Sequence, residues 1–215
     1  MKHLAVKKLI AQSPISAENA AQLLEEQTPL NAIDTINWPG YPAKPEVSFR
    51  IGHTGDTIWL KFDVREKYIR AQTTTTNGPV HLDSCVEFFL SFDGSNYYNF
   101  EFNCIGTRHV EYGNGRHNRH HLPTGIAETI RTASSLGTSP FDNQEGDFSW
   151  EMVVGIPLNC LIFQEKITLE GRRAHANFYK CGDETPEPHF VTWNPVKTDQ
   201  PDYHRPEFFG SVTFE

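Results

Sequence analysis

The sequence predicts an all-β protein, an antiparallel β-sandwich with one short flanking helix near the N-terminus. Several segments alternate apolar and polar residues, turn residues separate these segments, and the 15 Phe far outnumber the 2 Met. A period of two and stiff, flat apolar side chains are both typical of sheets. With 215 residues, the chain suits one sizeable domain. We assign residues 31–215 to the sandwich and residues 1–30 to an N-terminal helical extension.

The only clear helical pattern covers residues 17–27. Ser16 is a suitable N-cap, Glu18 lies in the first turn, and Ala20 and Leu24 recur at helical spacing. This segment is therefore predicted to be a helix that flanks the sandwich.

Strands are predicted from residue 31 onward. Two hairpins are expected, the first across the turn 53–56 and the second across the turn 93–96. Their strands, and four later ones, are predicted at residues 47–51, 58–64, 85–92, 97–105, 126–133, 148–156, 172–179 and 211–215. Residues 109–123 show no apolar face and are predicted to form a long exposed loop.

Composition excludes several classes of partner. A net charge of −8 at pH 7 argues against nucleic acid, which needs a surplus of Lys and Arg. No window reaches the roughly 18 apolar residues of a membrane span, and no motif indicates an organic cofactor. The first residues lack the apolar stretch of a signal peptide. This predicts a cytoplasmic protein if the given start is native, and a secreted or periplasmic one if a signal peptide was removed.

The run of residues 116–121 is rich in histidine, the commonest transition-metal ligand. Arg116 and Arg119 flank these histidines, and no Cys or carboxylate lies at ligand spacing along the sequence. An exposed loop is therefore favoured over a metal site, and no metal-binding residue is predicted.

A polar face is predicted on the second hairpin. Glu87 on one strand, and Asn99, Glu101 and Asn103 on the next, alternate with apolar residues and therefore share one side of the sheet. This face is either an ordinary solvated surface or a set of donors and acceptors for sugar hydroxyls.

Several strings, read in order, resemble the family 9 carbohydrate-binding modules. They are DSCVEFF at 83–89, FEFN at 100–103, WE at 150–151 with IP at 156–157, and RPEFFG at 205–210. Two more strings are similar to stand-alone family-9-like proteins, namely NFYKCGD at 177–183 and TWNP at 192–195. The resemblance covers residues 31–215 and implies a β-sandwich related to DOMON domains.

The resemblance implies non-catalytic binding of mono- or oligosaccharides from plant-type glycans such as cellulose or xylan. It also implies structural calcium and a role in support of polysaccharide breakdown, with a glycoside hydrolase as a partner. The ligand-binding residues that it suggests are His81, Glu87, Glu101, Asn103, Asn177, Gln200, Tyr203 and His204. Tyr203 and His81 stand at the positions of two clamping tryptophans. A second, group-specific site is expected at Lys180, Asp183 and Arg205.

Two enzymatic or redox alternatives stay open at this point. A glycoside hydrolase would use two of Glu87, Glu101, Asp83 and Asp183 as acid and base. An electron-transfer domain would bind haem through Met152, for which no histidine partner is evident. Trp59, Trp150 and Trp193 are predicted to pack in the core rather than to face a ligand.

Overall fold

The computed structural model describes residues 1–11 and 15–215, and its strands form two stacked sheets with a shared core. The strands are β1 His3–Lys8, β2 Asn31–Ala32, β3 Thr35–Ile36, β4 Glu46–His53, β5 Thr57–Ala71, β6 Cys85–Ser91, β7 Tyr97–Asn103, β8 Arg108–Gly113, β9 Arg119–His121, β10 Arg131–Ser134, β11 Phe141–Pro157, β12 Arg173–Cys181, β13 Phe190–Thr192 and β14 Gly210–Phe214. The helices are α1 Ala17–Gln27 and α2 Thr124–Ala127, with 3₁₀ turns at Val80–Leu82, Leu158–Cys160 and Pro206–Phe208.

One layer, here called the front sheet, has the strand order β14, β12, β6, β7, β8 and β9, with β13 between β12 and β3. The other layer, the back sheet, has the order β10, β11, β5 and β4, with β2 on β4. Strand β1 pairs in parallel with β14 and then with β4. All other pairs in the two sheets are antiparallel. The predicted β-sandwich is confirmed. Its strand pairing is mixed rather than purely antiparallel, because β1 pairs in parallel with both of its neighbours.

Alternate residues of each strand fill the space between the sheets. Val86, Phe88 and Leu90 of β6 point inward and are buried. Phe178 of the front sheet stacks on Phe49 of the back sheet with ring centroids 3.7 Å apart. Each such side chain contributes about 1.5–3 kcal/mol when it leaves water. The inward alternation leaves Glu87 and its neighbours on the outer face of the front sheet.

Helix α1 begins and ends at the predicted residues. The Ser16 hydroxyl accepts a hydrogen bond from the backbone N–H of Asn19, which satisfies one free donor of the first turn. Ala20 and Leu24 pack with Trp59 on the outer face of the back sheet. The helix therefore covers the sandwich as a flanking element.

Both predicted hairpins are confirmed by the pairing of β4 with β5 and of β6 with β7. The second turn is held by Asp93, whose Oδ1 accepts from the backbone N–H groups of Ser95 and Asn96. The predictions of packing roles for Trp59, Trp150 and Trp193 are also confirmed, since at most 3% of each residue is exposed. All four cysteines are free and buried.

The predicted loop at 109–123 is wrong for most of its length. Residues 108–113 and 119–121 form the hairpin β8–β9 at the edge of the front sheet. Val110 faces the core and is fully buried, while His109 and Glu111 face the opposite side. Only the short stretch with the inward residues Val110 and Tyr112 shows a period of two, and the polar residues around it conceal this pattern in the sequence.

The predicted strand at 126–133 is also only partly correct. It begins in helix α2 and becomes a strand, β10, at Arg131. Ala127 and Ile130 are buried three residues apart, a spacing that suits a helical turn better than a strand. In the described ranges, no helix has both the length and the apolar content that crossing a membrane requires.

Candidate functional site

A pocket of about 510 Å³ opens on the outer face of the front sheet. We call it the front pocket. Its charged and histidine lining is Glu87, Glu101, Glu111, Asp183, Asp202, Arg116, Arg119, His81, His109, His117, His121 and His204. The remaining lining is Asn77, Gly78, Pro79, Cys181, Phe190, Pro201 and Tyr203. This volume lies within the usual range for small-ligand sites.

Two carboxylates lie at the floor of the front pocket. Glu87 of β6 and Glu101 of β7 are directly opposite each other and are 3% and 4% exposed. Glu87 accepts a hydrogen bond from the Cys181 thiol at 3.1 Å, and Glu101 accepts one from Asn99 at 2.9 Å. In the described part of the chain, neither carboxylate forms an ion pair with Lys, Arg or His.

The electrostatics of this floor disfavour a fully ionised state. Burial, and then the charge of Glu101, raise the pKa of Glu87 well above its usual value. Asp183, just after β12, lines the same pocket, and burial raises its pKa to about 6, with a further contribution from Glu101. Nearby His81 opposes that rise. The pocket floor can therefore both donate and accept hydrogen bonds near neutral pH.

The β8–β9 hairpin forms one side of the pocket. Glu111 lies at its centre, with Arg119 Nη1 and His109 Nε2 at 2.8 and 3.2 Å from its Oε2. Burial would raise the pKa of Glu111, but the hydrogen bond to His109 and the charge of Arg119 outweigh it and lower the pKa to about 2. Burial would lower the pKa of His109, but its bond to Glu111 and the charges of Glu101 and Glu111 raise the pKa to about 9.

Aromatic rings line the opposite side. Tyr203 stacks on Tyr179 with centroids 4.0 Å apart, and its hydroxyl donates to the backbone carbonyl of Lys180. Only 7% of Tyr203 is exposed. Tyr179 covers one face of its ring, and a small free area remains for a ligand. The His204 ring lies 5.1 Å from that of Phe89, and its Nδ1 is 3.0 Å from the Tyr97 hydroxyl. These contacts fix the wall before any ligand arrives.

Residues 18–214 match the model of a protein family described as carbohydrate-binding family 9. The chain belongs to carbohydrate-binding family 9. The expected non-catalytic carbohydrate-binding function is thereby confirmed, and the glycoside hydrolase alternative is not favoured. Among curated proteins, none matches the chain.

The chain is also similar to solved structures of other proteins. A protein of Bacteroides uniformis, proposed to bind carbohydrate, is 39% identical over 100% of this chain and 99% of that chain, with a TM-score of 0.96. A family 9 module of Caldicellulosiruptor kristjanssonii in complex with cellotriose is 12% identical over 100% and 94% of the two chains, with a TM-score of 0.64. A family 9 module from the same organism in complex with glucose is 11% identical over 100% of this chain and 96% of that chain, with a TM-score of 0.58. The last two likenesses concern the fold alone.

The front pocket of this family 9 protein brings together most of the residues that the sequence suggested. Those that line it are His81, Glu87, Glu101, Asp183, Tyr203 and His204. The convergence follows from the pairing of β6 with β7 and β12, together with the segment 198–206 that lies over them. These residues therefore form the candidate carbohydrate site.

Three other suggested residues lie elsewhere. The Asn103 amide donates to Thr73 O and Asp83 Oδ2, and the fully buried Asn177 bonds to the backbone of Asn194. Both amides stabilise loops, and neither lines the pocket. Gln200 is exposed outside the pocket.

The second site expected at Lys180, Asp183 and Arg205 is wrong as a single site. Lys180 points into the core, because it follows the inward alternation of Phe178, and its Nζ lies 2.9 Å from Glu66 Oε2. Asp183 belongs to the front pocket. Arg205 is at the surface and pairs with Glu207.

The contribution of the β8–β9 hairpin to the pocket was not predicted from the sequence. His109, Glu111, Arg119 and His121 all line the front pocket. The detectable signal is that His109 and Glu111 continue the polar alternation of the preceding strand, while Val110 and Tyr112 face the other way.

Two groups of His, Cys, Asp or Glu side chains converge closely enough to hold an ion in the described ranges. One is Cys85, Glu87 and Cys181, and the other is His109, Glu111 and His121. Calcium takes six to eight oxygen ligands. Neither group fits the calcium that the family resemblance implies, since each offers a single carboxylate beside sulfur or nitrogen atoms.

Proposed function

We propose that the front pocket binds a mono- or oligosaccharide of a plant-type glycan, without cleaving it, in support of polysaccharide breakdown. The observation that carries this proposal is the convergence of Glu87, Glu101, Asp183 and Tyr203 in one open pocket. A sugar needs several donors and acceptors at short spacing together with an apolar surface for its C–H face. This pocket offers both.

Each wall has a separate task in the proposed complex. Glu87 and Glu101 bind sugar hydroxyls at the floor, and a raised pKa allows Glu87 to act as a donor as well as an acceptor. Arg119 supplies donors from the hairpin side. Tyr203 and Phe190 supply apolar ring surface. Because Tyr203 is held by Tyr179, little side-chain entropy is lost on binding.

Glucose-based ligands are the first to test. The Caldicellulosiruptor kristjanssonii modules, which share the fold, were solved with cellotriose and glucose. This supports a search that begins with glucose, cellobiose and cellotriose and then extends to xylobiose.

Calorimetric titration with these four sugars at pH 7 tests the proposal. We expect saturable binding to the wild type and a 10- to 100-fold loss for Glu101→Gln, since hydrogen bonds to charged groups contribute about 1.5–3 kcal/mol. Glu207→Gln is the matched control, because this carboxylate lies outside the front pocket. Equal affinities of Glu101→Gln and the control would remove the front pocket from consideration.

We also propose that a separate glycoside hydrolase carries out the cleavage. The wild-type protein should then raise the rate of a cellulase on insoluble cellulose, while Glu101→Gln should not. Release of reducing sugar by the protein alone would instead support a hydrolase. Structural calcium stays a prediction, and a lower melting temperature in EGTA than in excess calcium would support it.

A further inference from the structure

We propose that His109, Glu111 and His121 form a binding site for a divalent transition metal ion, with Zn²⁺ as the ion to test. The site lies at the side of the front pocket and is distinct from structural calcium. It does not depend on the proposed sugar function, since it is tested with the metal alone.

The three side chains share one face of the β8–β9 hairpin. His109 and Glu111 are two residues apart on β8, so both point to the same side of the strand. Glu111 and His121 are directly opposite each other on the two strands. The hairpin thus presents three ligands of the types that zinc prefers, two imidazoles and one carboxylate.

The distances suit a single small ion. All three donor atoms lie within 4.8 Å of one another. His109 Nε2 is 3.2 Å from Glu111 Oε2, and His121 Nδ1 is 3.7 Å from Glu111 Oε1. Ligand atoms of a tetrahedral ion with bonds of about 2.0–2.2 Å lie about 3.3–3.6 Å apart. The distances of 3.2 and 3.7 Å are already close to this separation, and the two histidine nitrogens lie within 4.8 Å of each other.

The ring of His109 is already oriented for coordination. Its Nδ1 lies 3.2 Å from the carbonyl of Asn77 and 3.1 Å from that of Gly78, so Nδ1–H donates and Nε2 points towards Glu111. A backbone carbonyl behind the ring is the usual support for a metal-binding histidine. Asn77 is itself held rigidly, since its Oδ1 accepts from Val110 N and its Nδ2 donates to Leu122 O.

The ligand set distinguishes this site from a calcium site. Imidazole nitrogen favours zinc, copper and nickel, whereas calcium and magnesium favour oxygen.

One carboxylate oxygen of Glu111 is available to the ion. Arg119 lies 2.8 Å from the other oxygen, Oε2, while Oε1 lies on the side of His121. The His121 side chain is 53% exposed, so the ion can enter from solvent and keep one position for water or a pocket ligand.

The test is calorimetric titration of tag-free, EDTA-treated protein with Zn²⁺, and with Ca²⁺ as the comparison ion. We expect one Zn²⁺ per chain and no saturable Ca²⁺ binding at these residues. Binding should weaken at least tenfold in His121→Ala and in Glu111→Gln. Absorption of the Co²⁺-loaded protein should show the strong visible bands of a four-coordinate site, and these bands should vanish in His121→Ala.

His120→Ala is the matched control. His120 is the neighbouring residue on β9, is exposed, and does not line the front pocket. His117→Ala is a second control, since His117 lines the pocket but does not belong to the cluster. Both controls should bind Zn²⁺ as the wild type does. The proposal is overturned by the absence of saturable Zn²⁺ binding, or by equal affinities of His121→Ala and either control. Because His121 is exposed, its replacement leaves the fold intact, which circular dichroism verifies.

Discussion

The ammonium nitrogen of Lys180 lies 2.9 Å from Glu66 Oε2 in the core between the two sheets, where the two side chains are 0% and 3% exposed. Trp150 Nε1 donates to the other oxygen of Glu66 at 2.7 Å, and His189 Nε2 lies 2.8 Å from Lys180 Nζ. The ion pair therefore connects β12 of the front sheet with β5 and β11 of the back sheet. A buried charge of this kind is tolerated only while its partner is present.

Replacement of Lys180 by Met should destabilise the protein by about 3–5 kcal/mol, because Glu66 would stay buried without a counter-charge. The double variant Lys180→Met/Glu66→Gln should recover most of this loss, since glutamine keeps an acceptor for Trp150. Urea unfolding measures both values. Lys44→Met, at an exposed position, is the control and should change the free energy of unfolding by less than about 0.5 kcal/mol. Equal losses in the single and double variants would contradict this account.

The stability of the protein should fall in mild acid because of His189. Burial, and then the charge of Lys180, lower the pKa of His189 from 6.5 to about 3. Because folding lowers this pKa, the contribution of His189 to stability is complete above pH 6.5 and is lost as the pH falls towards 3. The free energy of unfolding lost between pH 7.5 and pH 5 is about 2 kcal/mol.

His189→Gln removes that titration. The fall in the free energy of unfolding between pH 7.5 and pH 5 should be smaller in this variant, while His120→Gln, at an exposed position, should behave as the wild type. Urea unfolding at the two pH values measures the difference. An undiminished fall in His189→Gln would show that other groups cause it.

Glu87→Gln should stabilise the unliganded protein at high pH. The raised pKa of Glu87 means that its contribution to stability is present at low pH and is lost as the pH rises through the folded pKa. Each pKa unit of this rise corresponds to about 1.4 kcal/mol of stability lost at high pH. The variant should therefore melt at a higher temperature than the wild type at pH 9, with a smaller difference at pH 5. Glu207→Gln should show no such pH-dependent gain, and a gain of equal size in it would argue against a special role of the pocket floor.

Gly155→Ala should be destabilising by about 1–3 kcal/mol through overpacking. A Cβ at this position would lie 2.6–3.0 Å from carbon atoms of the Trp59 ring, and that ring is fully buried. Gly40→Ala is the matched control, because no heavy atom lies within 4 Å of the corresponding Cβ. Thermal unfolding compares the two variants, and similar melting temperatures would refute the steric explanation.

Local signals allowed the sequence to predict α1 and the two central hairpins. The cap at Ser16 and the turn at Asp93 act over a few residues, so their residue types are sufficient. The polar face at Glu87 and Glu101 could be predicted for the same reason, because alternation fixes which side a residue faces.

Features that depend on distant partners could not be predicted in this way. Strand β1 pairs with β14, and nothing near His3 in the sequence indicates this. Asn177 belonged to the expected ligand set, yet its amide bonds to Asn194, because the segment after β13 passes beside β12. Lys180 is buried and forms an ion pair with Glu66, which lies 114 residues earlier in the sequence. In each case the chemistry of the residue suggested a ligand, and long-range packing assigned a structural role.

Strand β1 also has a consequence for the order in which the molecule can fold. Its register places His3 beside Ser211 and Lys7 beside Gly52, so it joins the two sheets only after residues 208 positions apart have met. Contacts of such long sequence separation form slowly. Until β14 has been synthesised and has found β1, the backbone groups of β1 that pair with β14 stay unpaired. A nascent or partly folded chain therefore carries an open sheet edge that can pair with another chain.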